Sequence, residues 1–302
     1  MRKLATTIYL MFVPLSLQAN FKPGEKMAWP VKTSQPLQIS STFGESRIDH
    51  FHNGIDLPGE GIKIQSPRAG RVIWEYVYEE QSDEMPFGGG STLIVDHGDS
   101  WLGYMHLKEI TYKTQSNPVE KKLDGSIEQG TTLGVSGNTG HSAGAHLHFF
   151  VYHPQNRLMI NPLLLLNEEY YDDHLAPEIK EWGILLTDKF STVNPGKPFR
   201  MSADYPGYVL IQDHGKGRER WGVYDYQLFI DFQPALNVKF DTIQLVNNAW
   251  QTSNQKSFEA IYYRNYYALT TQLRKAKTVA IQASDLRGNT VNKTFQLDIQ
   301  QN

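Results

Sequence analysis

Hydrophobic and polar positions alternate with a period of two in a series of short runs, each bounded by Gly, Pro, Asn or Asp, and this is the signature of half-buried β-strands. The runs before residue 160 cover residues 70–78, 92–96, 102–107, 132–135 and 145–152. Amphipathic helical periodicity is hard to find in the same stretch. The pattern predicts one antiparallel β domain over residues 38–166. Residues 167–177 are acidic and end in Pro177, which reads as a linker. Strand-like runs then resume at residues 208–212, 223–232, 279–283 and 291–299, and the expected unit over 178–302 is β-sandwich-like, of the Ig-like kind. The fold class expected is therefore mainly β, in two units. The first is expected to fold without the second.

Two polar stretches interrupt the first unit. Residues 79–90 are acidic and then glycine-rich, and residues 112–129 are polar and lysine-rich. Loops of this length either wall a functional groove or are plain surface insertions. Residues 20–37 are irregular and carry Pro23, Pro30 and Pro36.

Composition narrows the class. A hydrophobic fraction of 40% with 12% aromatics over 302 residues is enough for packed cores and excludes disorder. The formal charge of −3 gives no footprint for nucleic acid or an anionic membrane. Residues 1–19 begin with Arg2 and Lys3, continue through an uncharged stretch and end at Ala19, which predicts an export signal peptide. Its apolar run is shorter than the roughly 20 residues a spanning helix needs, so no transmembrane anchor is expected after cleavage. Localisation is expected to be periplasmic, or extracellular and associated with the cell wall. The chain has no Cys, which removes a disulfide framework and a lipidated N-terminus.

The candidate chemistry lies in histidines and one aspartate. On a strand over residues 145–152, His146 and His148 share a face while Leu147, Phe149 and Val151 point into a core. About ninety residues earlier stands His52-Asn53-Gly54-Ile55-Asp56, whose Gly54, Pro58 and Gly59 favour a loop or turn over a helix. A catalytic zinc site uses three protein ligands and leaves a position for water. His52, Asp56 and one of His146 or His148 would supply them. His106 is a further imidazole suited to proton transfer. On a regular strand Tyr104 shares its face, which would aim both side chains into one groove and make Tyr104 a substrate-binding residue. His97, His141, His153, His174 and His214 read as ordinary packed or surface residues, and His50 flanks His52 closely enough to be confused with it.

The order of these motifs resembles the lysostaphin and LytM type of zinc metallopeptidase, the duplicated hybrid motif peptidases. The resemblance runs through Ser41-Thr42-Phe43-Gly44-Glu45-Ser46-Arg47, His52-Asn53-Gly54-Ile55-Asp56-Leu57, Ala69-Gly70-Arg71-Val72, His97-Gly98, Tyr104-Met105-His106-Leu107, Gly134 to Gly140, Gly144-Ala145-His146-Leu147-His148-Phe149 and Asn161-Pro162. It implies an antiparallel sheet with an active-site groove. His52, Asp56 and His148 become the Zn2+ ligands, and His106 and His146 the catalytic histidines that activate water and stabilise the transition state. Peptidoglycan peptides, in cross-links or stems, are the implied substrate. The second expectation, of a different class, is a catalytically silent peptidoglycan-binding or regulatory protein on the same scaffold. Residues 178–302 are open to glycan binding, to an envelope protein partner or to covering the groove, and the sequence chooses among none of these.

Overall fold

The structure is a computed structural model describing residues 26–32, 37–78, 88–112, 125–193, 199–201, 203–215, 219–269, 273–297 and 299–301. The expected signal peptide lies outside the described residues, as do most of the two polar stretches, at 79–87 and 113–124.

Among the described residues the first half builds nine strands: β1 (Ile55–Pro58), β2 (Lys63–Gln65), β3 (Gly70–Tyr76), β4 (Ser91–Asp96), β5 (Trp101–Ile110), β6 (Ser126–Ile127), β7 (Thr132–Ser136), β8 (His146–His153) and β9 (Leu158–Ile160). They pair in the order β9-β8-β5-β4-β3-β6, with β1 on β8, β7 on β5 and β2 on β7. Every pairing is antiparallel. One face of this sheet is a core of alternate residues, including Ile55, Leu57, Leu93, Val95, Leu102, Leu147, Phe149 and Val151, all buried. The alternation read in the sequence is thus the alternation of the pleat.

The second half runs β10 (Glu178–Leu186), β11 (Lys189–Thr192), β12 (Phe199–Met201), β13 (Gly207–His214), β14 (Arg220–Trp221), β15 (Asp225–Ile230), β16 (Gln233–Lys239), β17 (Thr242–Val246), β18 (Ala249–Thr252), α1 (Phe258–Ile261), β19 (Tyr262–Tyr263), β20 (Tyr266–Ala268), β21 (Thr278–Ser284), β22 (Thr290–Gln296) and β23 (Ile299–Gln301). Two antiparallel sheets, β11-β10-β13-β20-β19 and β16-β15-β21-β22, enclose a second core that includes Trp182, Val209, Tyr226, Leu228, Val279 and Ile281.

The halves are interlocked. Strand β17 pairs with β9, so the β17–β18 hairpin extends the sheet of the first half. Phe43 and Phe51 of the first half lie in the second core, and Trp221 of the second half lies in the first. Removing residues after 177 would strip a neighbour from β9 and uncover Phe43 and Phe51.

Candidate metal centre

Register brings the three expected ligands together. Asp56 on β1 stands opposite His148 on β8, and residues opposite one another in an antiparallel pair share a face. His52 precedes β1 in irregular backbone and folds back over the pair. Gly54 permits the fold, because a Cβ there would lie 2.4 Å from the Phe149 carbonyl and 2.8 Å from His148 Nε2. The result is a triangle of buried donor atoms: His52 Nε2 to Asp56 Oδ1 3.1 Å, His52 Nε2 to His148 Nδ1 3.0 Å and His148 Nδ1 to Asp56 Oδ1 2.9 Å.

The opposite edges of these side chains fix what the triangle presents. His52 Nδ1–H donates to the Thr42 carbonyl at 2.7 Å, and His148 Nε2–H donates to Asn53 Oδ1 at 3.0 Å. Each imidazole then turns a lone pair inward, toward a carboxylate oxygen. Asp56 Oδ2 is held by Arg47 Nη2 at 2.7 Å, which leaves Oδ1 for the centre. Two lone pairs and an anionic oxygen within about 3 Å repel one another unless a cation lies between them. Tetrahedral donors at zinc distances of 2.0–2.1 Å would stand about 3.3 Å apart, close to the triangle observed. The donor set therefore fits Zn2+, with outward hydrogen bonds of the kind that orient metal ligands.

Protonation agrees with that role. Burial pushes the His148 imidazole down to about 4, which keeps it neutral at pH 7.

His106 and His146 complete the site. Their rings lie 4.7 Å apart between centroids, and His106 is 6.1 Å from His148. His146 Nε2 stands 3.6 Å from Asp56 Oδ1. His106 Nδ1–H donates to the Thr139 carbonyl at 2.8 Å and His146 Nδ1–H to the Gly144 carbonyl at 2.7 Å, so both present Nε2 to the same space. Burial lowers the His106 pKa, which leaves its Nε2 free to accept a proton at neutral pH.

Tyr104 is a correction. Its ring is fully buried in the first core, 5.4 Å from Phe149, and it lines no groove. Between Tyr104 and Leu107 the β4–β5 register shifts, and His106 has φ of +61°. This bulge breaks the strict alternation that would have put Tyr104 and His106 on one face. His50 is exposed and paired with Asp49, apart from the triangle. His97 bonds to the Ala69 carbonyl, His153 lies at the far end of β8, and neither joins the site.

Asn53, Thr42 and Arg47 were not singled out from the sequence as site residues, although each stood in a quoted motif. Asn53 and Arg47 could have been found by asking what orients the ligand next to them. Thr42 acts through its backbone carbonyl, which has no side-chain signal.

Comparison with known proteins follows the same geometry. Residues 50–162, which hold all five residues of the centre, match the sequence model of Peptidase family M23. Over these residues the chain is similar to M23 peptidases. The chain is 29% identical over 140 residues to an uncharacterized metalloprotease of Buchnera aphidicola, a match covering 44% of this chain and 32% of that protein. It is 27% identical over 120 residues to the peptidoglycan DD-endopeptidase ShyA of Vibrio cholerae, covering 37% of this chain and 24% of that protein. The chain thus spans about a third or less of the length of these relatives. Among solved structures, a zinc-containing peptidase from Vibrio cholerae aligns at 24% identity over 46% of this chain and 40% of that one, with a TM-score of 0.35. A further family model without a description matches residues 176–300.

Proposed function

We propose that this chain is an exported zinc-dependent endopeptidase that hydrolyses peptide bonds in bacterial peptidoglycan, in cross-links or stem peptides. One observation carries the reading: the inward lone pairs of His52 and His148 and Asp56 Oδ1 converge within 3.1 Å, beside two further imidazoles that tie Nδ1 to backbone carbonyls and turn Nε2 toward the centre. His52, Asp56 and His148 would hold the zinc, which would supply Lewis acidity and activate a water for attack near neutral pH. His106 or His146 takes the proton from the attacking water at Nε2, and the imidazolium so formed donates that Nε2–H to the oxyanion on the scissile carbonyl. Their Nδ1–H bonds to backbone carbonyls hold both rings in the tautomer this work requires. The M23 match and the likeness to a peptidoglycan endopeptidase support the substrate class. The leader-like residues 1–19 support export. Among the described residues no helix is long and apolar enough to cross a membrane. The silent-scaffold alternative gains nothing from the site, whose ligand set and both accessory histidines are complete.

The test pairs metal analysis with product release. Purified protein should carry about one zinc per chain and release soluble peptide fragments from peptidoglycan, whereas His148→Ala should lose both. Equal release by the two proteins would overturn the proposal.

A further inference from the structure

The triangle of donors is oriented from residues 39–47, and residues 39–47 are gripped by the second half of the chain. On the side facing the centre, the Thr42 carbonyl accepts from His52 Nδ1, Arg47 holds Asp56 Oδ2, and Ser41 pairs with Asp56 through backbone bonds in both directions across Ser40 and Ser41. Gly44 N–H also donates to the His52 carbonyl at 2.8 Å. On the far side, Trp221 Nε1–H donates to the Ile39 carbonyl at 2.7 Å, Tyr262 Oη–H donates to the Gly44 carbonyl at 3.0 Å, and Ser46 Oγ–H donates to the Arg264 carbonyl. Gly44 has φ of +86°, and the Phe240 ring fills the space where its Cβ would stand, 2.3 Å from Cδ1.

Glu45 joins the two sides. Its Oε1 accepts from Thr42 N–H, from Thr42 Oγ at 2.8 Å and from the backbone N–H of Gly222 at 3.2 Å, while Oε2 accepts from Ser41 Oγ at 2.5 Å. Gly222 N–H also lies 3.2 Å from Thr42 Oγ1. A carboxylate holding four donors fixes the peptide of Thr42 more firmly than neutral bonds would, and that peptide carries the carbonyl on which His52 is hung. Between the halves at this point lies a small cavity of about 170 Å³ lined by Glu45, Arg220, Trp221, Gly222, Tyr262 and Tyr267, so packing alone does not fill the junction.

We propose that the second half of the chain is a positioning domain for the metal centre, with Glu45 as the positioning residue through which Gly222 sets the orientation of His52 and Asp56, while Tyr262 holds the same segment through the Gly44 carbonyl. The inference rests on the zinc-site reading and gives residues 178–301 a task that requires neither glycan nor partner. Glu45 touches no reacting atom. Its effect is on how tightly and in what geometry the donors hold a cation, since outer-sphere partners of metal ligands are worth about 10–100-fold in affinity.

The experiment uses the full chain and metal ions alone. Zinc affinity is measured by competition with a chromogenic chelator, and the visible spectrum of the Co2+-loaded protein reports ligand geometry. Glu45→Ala should weaken zinc about tenfold or more and shift the Co2+ bands. Gly222→Ala, whose Cβ would lie 2.8 Å from Glu45 Cγ, should move both readouts in the same direction without removing the carboxylate. Glu45→Gln, which keeps an oxygen acceptor at Oε1, should restore most of the affinity. Phe295→Ala, in the second core against Trp182 at 5.2 Å, serves as the destabilised control. It should lower the melting temperature yet leave zinc affinity within about twofold of wild type. Wild-type zinc affinity in Glu45→Ala and Gly222→Ala, or an equal loss in Phe295→Ala, would overturn the proposal. A wild-type protein that binds no zinc would instead sink the metal-site reading beneath it.

Discussion

Tyr104 and His106 lie two residues apart on one strand and end in different environments. The phenol is sealed in the core, and burial holds its pKa above the usual range, which keeps it out of proton transfer. The imidazole faces His146 with its Nε2 uncommitted. Substitution should separate them sharply. Tyr104→Phe keeps the ring and should leave kcat/KM within about twofold, because nothing it removes can reach substrate. In the proposed mechanism His106 serves when a proton moves or an oxyanion forms, so His106→Ala should lower kcat by about a hundredfold or more. Zinc content should stay near one per chain in both variants, since neither residue is a ligand. Steady-state kinetics on a peptidoglycan fragment, read together with metal analysis, checks the pair. A Tyr104→Phe enzyme as slow as His106→Ala would return the phenol to the groove.

At the level of elements, much of the centre was legible because its chemistry follows strand periodicity. Leu147, Phe149 and Val151 are buried on one side of β8 while His146 and His148 meet Asp56 on the other, as period-two alternation requires. The His52 to Asp56 step was legible as irregular backbone, although Asp56 itself already belongs to β1. The bulge at His106 was not legible, because an extra residue in one strand depends on its neighbour β4 and leaves no mark in the local pattern. Nor was the grip on residues 39–47, which joins positions about 180 residues apart. Gly54 tests how much the centre depends on one element lying close to another. Gly54→Ala would drive a methyl group into the Phe149 carbonyl and His148 Nε2. The loop must lift from β8, carrying His52 away from His148. Zinc affinity should fall by at least tenfold, and the melting temperature with it. Unchanged zinc binding in Gly54→Ala would show that the loop has slack the contacts do not suggest.

Across the whole molecule, the junction of linker and second half buries three carboxyl groups from three elements, and the titration of Asp213 and Asp173 should set the pH response of stability. Asp173 follows the first half, Asp213 lies near the end of β13 and Asp285 follows β21, all buried, with one oxygen of each within 4.8 Å of the others. Tyr171 Oη–H and Leu175 N–H donate to Asp173, His214 N–H to Asp213, and Asn289 N–H and Nδ2–H to Asp285. Burial, and then the charge of Asp173, push Asp213 up to about 8, with Asp285 and Glu45 adding to the rise. Burial and the charge of Asp285 push Asp173 up to about 6. In the unfolded chain such carboxyls titrate near 3.9. Between that value and about 8 the folded state therefore holds a proton on Asp213 that the unfolded state has lost, and stability falls as pH rises. One such proton corresponds to about 1.4 kcal/mol per pH unit at full strength. His148 and His106, both lowered by burial, act in the opposite sense, since the unfolded chain takes up protons below about 6.5 that the folded state refuses. The carboxyl effect is therefore best read above that point. From pH 6.5 to 8 the melting temperature should fall, and Asp213→Asn, which keeps a carbonyl oxygen for His214 N–H, should flatten the slope and melt higher at pH 8. Zinc binding also varies with pH, but both proteins carry the same metal centre, so the difference between their melting curves isolates Asp213. Parallel slopes would mean that Asp213 is already ionised in the folded protein at pH 6.5.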